Sequence, residues 1–301
     1  MDVLTTPDAV QRWSDDHRVG GRRVGFVPTM GALHHGHLAL VDEARRQADV
    51  VVVSIFVNPL QFDVSADFDR YPRPIDDDLV ACRTAGVDAV YAPTAATMYP
   101  AGYQTHVEPG VLADRLEGAH RPGHFRGVTT VVTKLLGAVR PHVAVFGQKD
   151  AQQLAIVRRM VIDLDLGVEI VAVPTVREAD GVAMSSRNRR LNPEQRAAAT
   201  CIVEGLRAAE RAHHDGEVDA SVLAALVSKP IETEPSARLE YVEVVDPSSL
   251  LTLDHHLDRA GGGGGEALVL VAAWFGEVRL IDNLLLDPLL LPVLRVPAPT
   301  R

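Results

Sequence analysis

The sequence predicts an α/β fold: a Rossmann-like doubly wound parallel sheet followed by a smaller C-terminal α+β domain. Three observations carry that expectation. Apolar, β-branched runs alternate with amphipathic runs as far as residue 173, the pattern of strands joined by crossover helices. Runs such as 24–27 (V-G-F-V) and 51–57 (V-V-V-S-I-F-V) are apolar nearly throughout, as in strands buried on both faces. After Pro174 the order changes to helical stretches and then strand-like ones, which fits a separate antiparallel sheet.

Residues 8–18 read as a short helix leading to strand 24–27. Pro28 has no N–H to give a neighbour and is expected to end that strand. Gly31 and Gly36 mark a turn, and the amphipathic run Leu38, Leu40, Val41 and Ala44 begins a helix near His37. Asn58-Pro59 closes strand 51–57. A helix from Asp76 to Ala85 carries acidic residues in its first turn, where they suit the helix dipole, and strand 87–92 follows. Residues 93–127 are loop-rich. Next come a helix from about 128 to 139, strand 143–146, a helix from about 150 to 164, and strand 168–173. Residues 193–213 and 218–228 read as helices, and Leu239–Val245, Ala267–Ala273 and Val278–Ile281 as strands. The glycine run 261–265 lacks a following Lys, Ser or Thr and precedes a strand, so it reads as a flexible hairpin connection and not a phosphate loop. The expected domains are 1–175 and 176–283, with a Leu/Pro-rich tail, 284–301, loosely ordered or packed on a neighbour.

A chain of 301 residues, 47% of them hydrophobic, suits one large or two modest domains with an aliphatic core. The net charge of −10 disfavours nucleic acid and anionic membranes as partners, because both need basic surface. A small anion remains admissible where local cations gather. Cys82 and Cys201 are isolated, which suits a reduced, cytoplasmic setting. The start, M-D-V-L-T-T-P-D, lacks the features of a signal peptide. No apolar run reaches the ~18–20 residues that span a bilayer, so a soluble protein is expected.

The candidate chemistry begins where the first strand turns into a helix. Such a unit leaves backbone N–H groups at the helix start, a seat for phosphate. His34 and His37 stand there at H-x-G-H spacing. Neutral imidazole can donate to phosphate oxygens, and imidazolium can offset charge developing on them. Gly36 keeps a side chain from between the helix terminus and a nucleotide. A metal site and a plain polar loop are the other readings of His34, His35 and His37, although no Cys, Asp or Glu lies nearby at zinc-ligand spacing. H-x-G-H after a first strand is similar to the ATP-holding motif of nucleotidylyltransferases and class I aminoacyl-tRNA synthetases.

Three later segments add to it. Asn58 and Gln61 follow the strand 51–57, at the sheet end where ligands bind, and Gln61 could read hydroxyl and carboxylate groups together. Turn capping is the plainer reading of Asn58. In F-G-Q-K-D-A-Q-Q-L (146–154), Gly147 permits a turn, Lys149 offers a charge, Asp150 can cap a helix and Gln153 faces the same cleft. A surface Lys–Asp pair is the alternative. In M-S-S-R-N (184–188), two hydroxyls and a guanidinium can wrap a triphosphate on a loop able to close, or form an exposed turn.

In this order, V-P-T-M-G-A-L-H-H-G-H, S-I-F-V-N-P-L-Q-F, R-P-G-H-F-R-G-V, F-G-Q-K-D and M-S-S-R-N resemble the pantothenate synthetase family. The likeness runs from about residue 1 to Asn283, where L-V-A-A-W-F-G-E-V-R-L-I-D-N looks like the family's closing hairpin. The resemblance implies ATP-dependent condensation of (R)-pantoate with β-alanine, through pantoyl adenylate, to pantothenate, AMP and pyrophosphate. It also implies Mg²⁺ and a homodimer formed through the large domain, with the small one as a lid. An adenylyltransferase that keeps the adenylate as its product is the alternative. By the same likeness His37 is the catalytic histidine, acting with His34, Lys149, Ser185, Ser186 and Arg187. ATP contacts are implied for Pro28, Thr29, Met30, Gly31, Ala32, Leu33, His34, His35, Gly36 and His37. They are implied also for Gly147, Gln148, Lys149, Asp150, Val176, Met184, Ser185, Ser186 and Arg187. Gln61, Asn58 and Gln153 correspond to contacts with pantoate or β-alanine, and Asp77 and Asp78 to a magnesium site, although an acidic helix start explains the latter pair equally. Two departures stand out: Gln148 replaces the family's usual Glu, and the tail after Asn283 is outside the shared pattern.

Overall fold

The computed structural model describes residues 1–62, 65–253, 257 and 266–286. Its chain forms two compact units, Met1–Arg196 and Ala197–Arg301.

The first unit is built on six parallel strands: β1 (Asp2–Leu4), β2 (Val24–Thr29), β3 (Val50–Ile55), β4 (Ala89–Tyr91), β5 (Val143–Gly147) and β6 (Glu169–Val173). Their order across the sheet is β1-β4-β3-β2-β5-β6. The helices between them are α1 (Pro7–Val19), α2 (His35–Gln47), α3 (Ser65–Arg70), α4 (Ile75–Thr84), α5 (Ala95–Met98), α6 (Glu117–His120), α7 (His124–Val139) and α8 (Ala151–Asp163). A short α9 (Pro193–Ala198) follows.

Successive residues of each strand point to opposite faces. Val24, Phe26, Val50, Val52, Ala144 and Phe146 pack in one core with Val10 of α1, Val132 of α7 and Val157 of α8. Val27, Val51, Val53, Val143 and Val145 pack in a second core with Leu40, Val41 and Ala44 of α2 and Cys82 of α4. Both faces are therefore dry, which is why the strands read as apolar runs.

Pro28 does not end β2, which continues to Thr29. In a parallel strand the N–H groups of alternate residues point to alternate neighbours. Val24 faces β5, since its carbonyl accepts from His142, so Pro28 faces β5 too. The β2–β5 pairing stops at Phe26, and the missing N–H at Pro28 costs no ladder bond. Strand β1 is not among the sequence expectations because three residues at an exposed edge show no burial period. Helix α7 begins at His124, ahead of the expected residue 128.

Chain direction across the sheet reverses at β2. Strands β3 and β4 lie to one side and β5 and β6 to the other. The connections leaving β2 and β5 thus part at their carboxyl ends and open a crevice there.

In the second unit, α10 (Thr200–His214) and α11 (Ala220–Thr233) accompany an antiparallel sheet of β7 (Ala237–Val245), β8 (Ala267–Phe275) and β9 (Val278–Leu286). Residues 284–286, expected in the tail, are strand: Leu284 pairs with Val269 and Leu286 with Ala267. The glycine connection 261–265 and the tail from 287 onward lie outside the described residues. Among the described residues no helix is long and apolar enough to cross a membrane.

Candidate active site

The β2–α2 connection is held by a run of hydrogen bonds. The Thr29 hydroxyl donates to the Ser54 carbonyl at 2.7 Å and accepts from the Gly31 amide at 3.1 Å. Gly31 has φ +80°, a conformation natural only to glycine. The next two amides, of Ala32 and Leu33, donate to the two carboxylate oxygens of Asp78 at 2.8 and 2.7 Å. His34 then caps α2: its Nδ1 accepts from the Gly36 amide at 3.1 Å. Three residues on, the Nδ1 of His37 accepts from the His34 amide at 3.3 Å, closing a reciprocal capping box.

These bonds fix the chemistry of both rings. A nitrogen that accepts a backbone N–H carries no proton, so the proton of each neutral imidazole resides on Nε2. The rings lie 4.1 Å apart, centre to centre. Burial, followed by the charge of Lys149, lowers the pKa of His34 to about 4. Burial, followed by the neighbouring His34, lowers that of His37 to about 3. At neutral pH both are uncharged N–H donors, which decides between the two roles the sequence left open.

A cavity at this end of the sheet holds about 1190 Å³ of space, its mouth included. It gathers Pro28, Thr29, Met30, His34 and His37 from the first connection, and Asn58 and Gln61 from beyond β3. Lys149, Asp150 and Gln153 join from beyond β5, with Met184, Ser185, Ser186 and Arg187 from the later loop. A second cavity shares His34, His37, Lys149, Asp150, Gln153 and Met184 with the first and adds Gly36, Gly147 and Val176. Gly31, Ala32, Leu33, His35 and Gln148, along with Asp77 and Asp78, line neither.

Lys149 and Asp150 stand 3.5 Å apart. Desolvation pushes the Asp150 carboxyl up, but Lys149 and Arg187 outweigh it and hold the group below its ordinary range. The M-S-S-R-N segment leads into a short 3₁₀ turn, Ser186–Arg190, capped by Ser185, whose hydroxyl accepts from the Arg187 amide at 3.2 Å. Asn188 ties it down, donating to Glu178 at 2.7 Å and to the Ala183 carbonyl at 3.0 Å.

Asn58 is 1% exposed and spends its polar atoms within the protein. Its amide nitrogen donates to Gln61 Oε1 and to the Gly127 carbonyl, both at 3.0 Å, while its oxygen accepts from the Tyr99 hydroxyl at 2.7 Å and the Leu60 amide at 3.3 Å. It therefore orients Gln61. Helix α7 comes close enough for this because residue 127 is glycine: a Cβ there would fall 2.2 Å from the Leu60 carbonyl oxygen.

Several lining residues were not singled out from sequence: Phe62, Tyr71, Arg121, His124 and an apolar wall of Val128, Val131, Val132 and Leu135. The wall's i, i+3, i+4, i+7 spacing on α7 was legible as a stripe, though not as the side of a pocket. His124 and Arg121 belong to R-P-G-H-F-R-G-V. His124 Nδ1 donates to the Gln61 carbonyl at 2.8 Å, and its Nε2 accepts from Arg121 at 3.3 Å. Burial, with Arg121 next, lowers the His124 pKa to about 4. Burial raises the pKa of Tyr71, against the effect of its hydrogen bond with Ser186.

The two carboxylates for which the resemblance implies magnesium differ in their surroundings. Asp77 is exposed, while Asp78 is 2% exposed with both oxygens taken by backbone amides. Among the described residues no group of three or more His, Cys, Asp or Glu is placed to hold a metal ion.

Residues 2–285 match the family described as pantoate-beta-alanine ligase. Pantothenate synthetase 1 of Bradyrhizobium diazoefficiens is 51% identical over 287 residues, 95% of this chain and 99% of that protein. Pantothenate synthetase of Chloroflexus aurantiacus is 53% identical over 264 residues, 88% of this chain and 92% of that one. Among solved structures, pantothenate synthetase from Thermus thermophilus superposes with a TM-score of 0.85 at 44% identity, covering 96% of this chain and all of that one. The Francisella tularensis pantoate-beta-alanine ligase, described as complexed with beta-gamma ATP and beta-alanine, gives a TM-score of 0.76 at 32% identity, covering 95% of this chain and 97% of that one.

Proposed function

The chain belongs to the pantoate-beta-alanine ligase family, and from that premise we propose how its cleft uses ATP to join pantoate to β-alanine. The reaction runs in two steps. The pantoate carboxylate attacks the α-phosphorus of ATP and expels pyrophosphate, giving pantoyl adenylate. The β-alanine amine then attacks the acyl carbon and expels AMP. The observation that carries this reading is the meeting, in one cavity, of two neutral Nε2–H imidazoles, the cationic side chains of Lys149, Arg187 and Arg121, and an apolar wall with the carboxamides of Gln61 and Gln153.

The attacking carboxylate is already ionised, so the first step needs no strong base. It needs offset for charge moving onto the phosphates. Lys149 and Arg187 supply positive charge. His34 and His37 donate from Nε2 beside the N-terminus of α2, and Ser185 and Ser186 add hydroxyls. The second cavity, with Gly147, Val176 and Met184, takes the rest of the nucleotide. Pantoate sets its methyl groups on the α7 wall and its hydroxyl and carboxylate on the carboxamides of Gln61 and Gln153. Magnesium would supply further offset of phosphate charge, and Asp78, whose oxygens accept the Ala32 and Leu33 amides, is not placed to hold it. The enzyme is a homodimer joined through the large domain, and its free, buried Cys82 and Cys201 suit the cytoplasm.

Labelled pyrophosphate should exchange into ATP with pantoate alone, and AMP should appear only when β-alanine is added. Exchange that requires β-alanine would overturn the two-step order. An adenylate that accumulates and never reacts with the amine would favour an adenylyltransferase. Sedimentation at 32.5 kDa, the mass of one chain, would refute the dimer.

A further inference from the structure

We propose that Asp78 is a positioning residue for the two imidazoles: its carboxylate clamps the β2–α2 connection and thereby sets the rings that face the phosphates. The proposal rests on the functional reading above for its effect on rate, and on geometry alone for the clamp.

Three acidic residues open α4, and only one of them is turned inward. Asp76 and Asp77 are exposed; Asp78 is 2% exposed. A carboxylate that deep needs donors for its oxygens. The donors are two consecutive amides, Ala32 at 2.8 Å and Leu33 at 2.7 Å, one to each oxygen. Positive φ at Gly31 (+80°) and Ala32 (+51°) turns the connection so that these amides point the same way. Successive N–H groups arranged like this form an anion-binding nest. Here the anion is the chain's own side chain.

The fit leaves no slack. A Cβ on Gly31 would fall 2.8 Å from Asp78 Oδ2 and 3.0 Å from Ile55 Cγ2. Ala32 is a non-glycine residue in the left-handed region and 2% exposed; such strain persists only where the surroundings overdetermine it. The residue after Leu33 is His34, the cap of α2, whose amide bond to His37 Nδ1 fixes the proton on His37 Nε2. Displacement of the nest passes directly into both imidazoles. The segment leading into α4 also carries Tyr71, which lines the same cavity as Ser186.

The test is Asp78→Asn in the full-length protein. Asparagine offers one acceptor oxygen and sets an NH₂ against the other amide, so one clamp bond is lost. Adenylation, read as pyrophosphate exchange, should slow by about 10–100-fold, the scale on which outer supporting groups act. The Mg²⁺ concentration for half-maximal rate should stay within about twofold. The ring ¹⁵N shifts of His34 and His37, assigned through single His→Gln replacements, should move as the Nε2–H tautomer loses its constraint. Asp78→Glu keeps the charge but lengthens the arm, and should slow adenylation as well; it also serves if the asparagine variant does not fold. Unchanged rate and unchanged ring shifts overturn the clamp. A loss recovered simply by raising Mg²⁺ also overturns it and makes Asp78 a metal ligand. Because the ring shifts need no substrate, they test the clamp even if pantoate is not the acid that reacts.

Discussion

Replacing His37 by alanine and by glutamine separates its two tasks. The His37 ring is largely withdrawn from water and its pKa lies near 3, so it serves as a neutral donor through Nε2 and as an acceptor for the His34 amide through Nδ1 at 3.3 Å. Alanine removes both. A hydrogen bond to a charged phosphate contributes about 1.5–3 kcal/mol, or ~10–150-fold in rate, and loss of preorganised donors in a dry site reaches ~10²–10³-fold. His37→Ala should therefore slow adenylation by at least ~10²-fold. The orphaned His34 amide should cost a further ~0.5–2 kcal/mol of stability, as lost helix caps do. Glutamine is a natural partner at the third position of a capping box: its oxygen can accept the His34 amide while its NH₂ still faces the phosphates. His37→Gln should stay within about tenfold of the parent in single-turnover adenylation, with thermal stability nearly unchanged. If His37→Gln proves as slow as His37→Ala while remaining folded, neutral hydrogen bonding is not the task of this ring, and a proton-bearing role must replace it.

Lys149→Ala should slow adenylation by at least ~10²-fold but weaken ATP binding less, because His34, His37 and Arg187 of the same cavity remain; equal losses in both, by quenched-flow and titration, would assign Lys149 to ground-state binding. Gln148→Glu should change kcat/KM by less than about tenfold, since residue 148 lines neither cavity while Gly147 and Lys149 on either side do; a larger loss in steady-state kinetics would mean that its side chain reaches the nucleotide. The depressed pKa values of His37 (about 3) and His124 (about 4) make the unfolded chain, with histidines near 6.5, the better proton binder. Stability is then whole above about pH 6.5 and falls on acidification, by up to ~1.4 kcal/mol per pH unit for each of these histidines. Urea midpoints at pH 7, 6 and 5 should decline in that order, and a flat series would refute the burial of neutral rings.

The fold class was legible because a sheet covered on both faces leaves apolar runs that helices interrupt, and each run is a local signal. Strand β1 was not legible, since a three-residue edge strand has no period of its own and exists only through pairing with β4. Pro28 was misread for a related reason: whether a missing N–H matters depends on which neighbour it faces, and only the pairing of β2 with β3 and β5 settles that. At the cavity, His34, His37, Lys149, Gln61 and Arg187 were legible as candidates in the sequence because each follows a strand end or sits in a polar motif, positions that chain order reveals. Their charge states were not, because desolvation is a property of the packed cleft. Nor could the sequence separate Asp78 from Asp76 and Asp77. Three adjacent carboxylates on one helix start look alike until the connection 45 and 46 residues earlier in the chain delivers its amides to one of them. Residue order thus set the inventory of chemistry and the alternation that builds the sheet. Packing in three dimensions chose which carboxylate clamps, which carboxamide is spent on its neighbour and which imidazoles stay neutral, because hydrogen bonding and desolvation depend on groups distant in sequence and close in space.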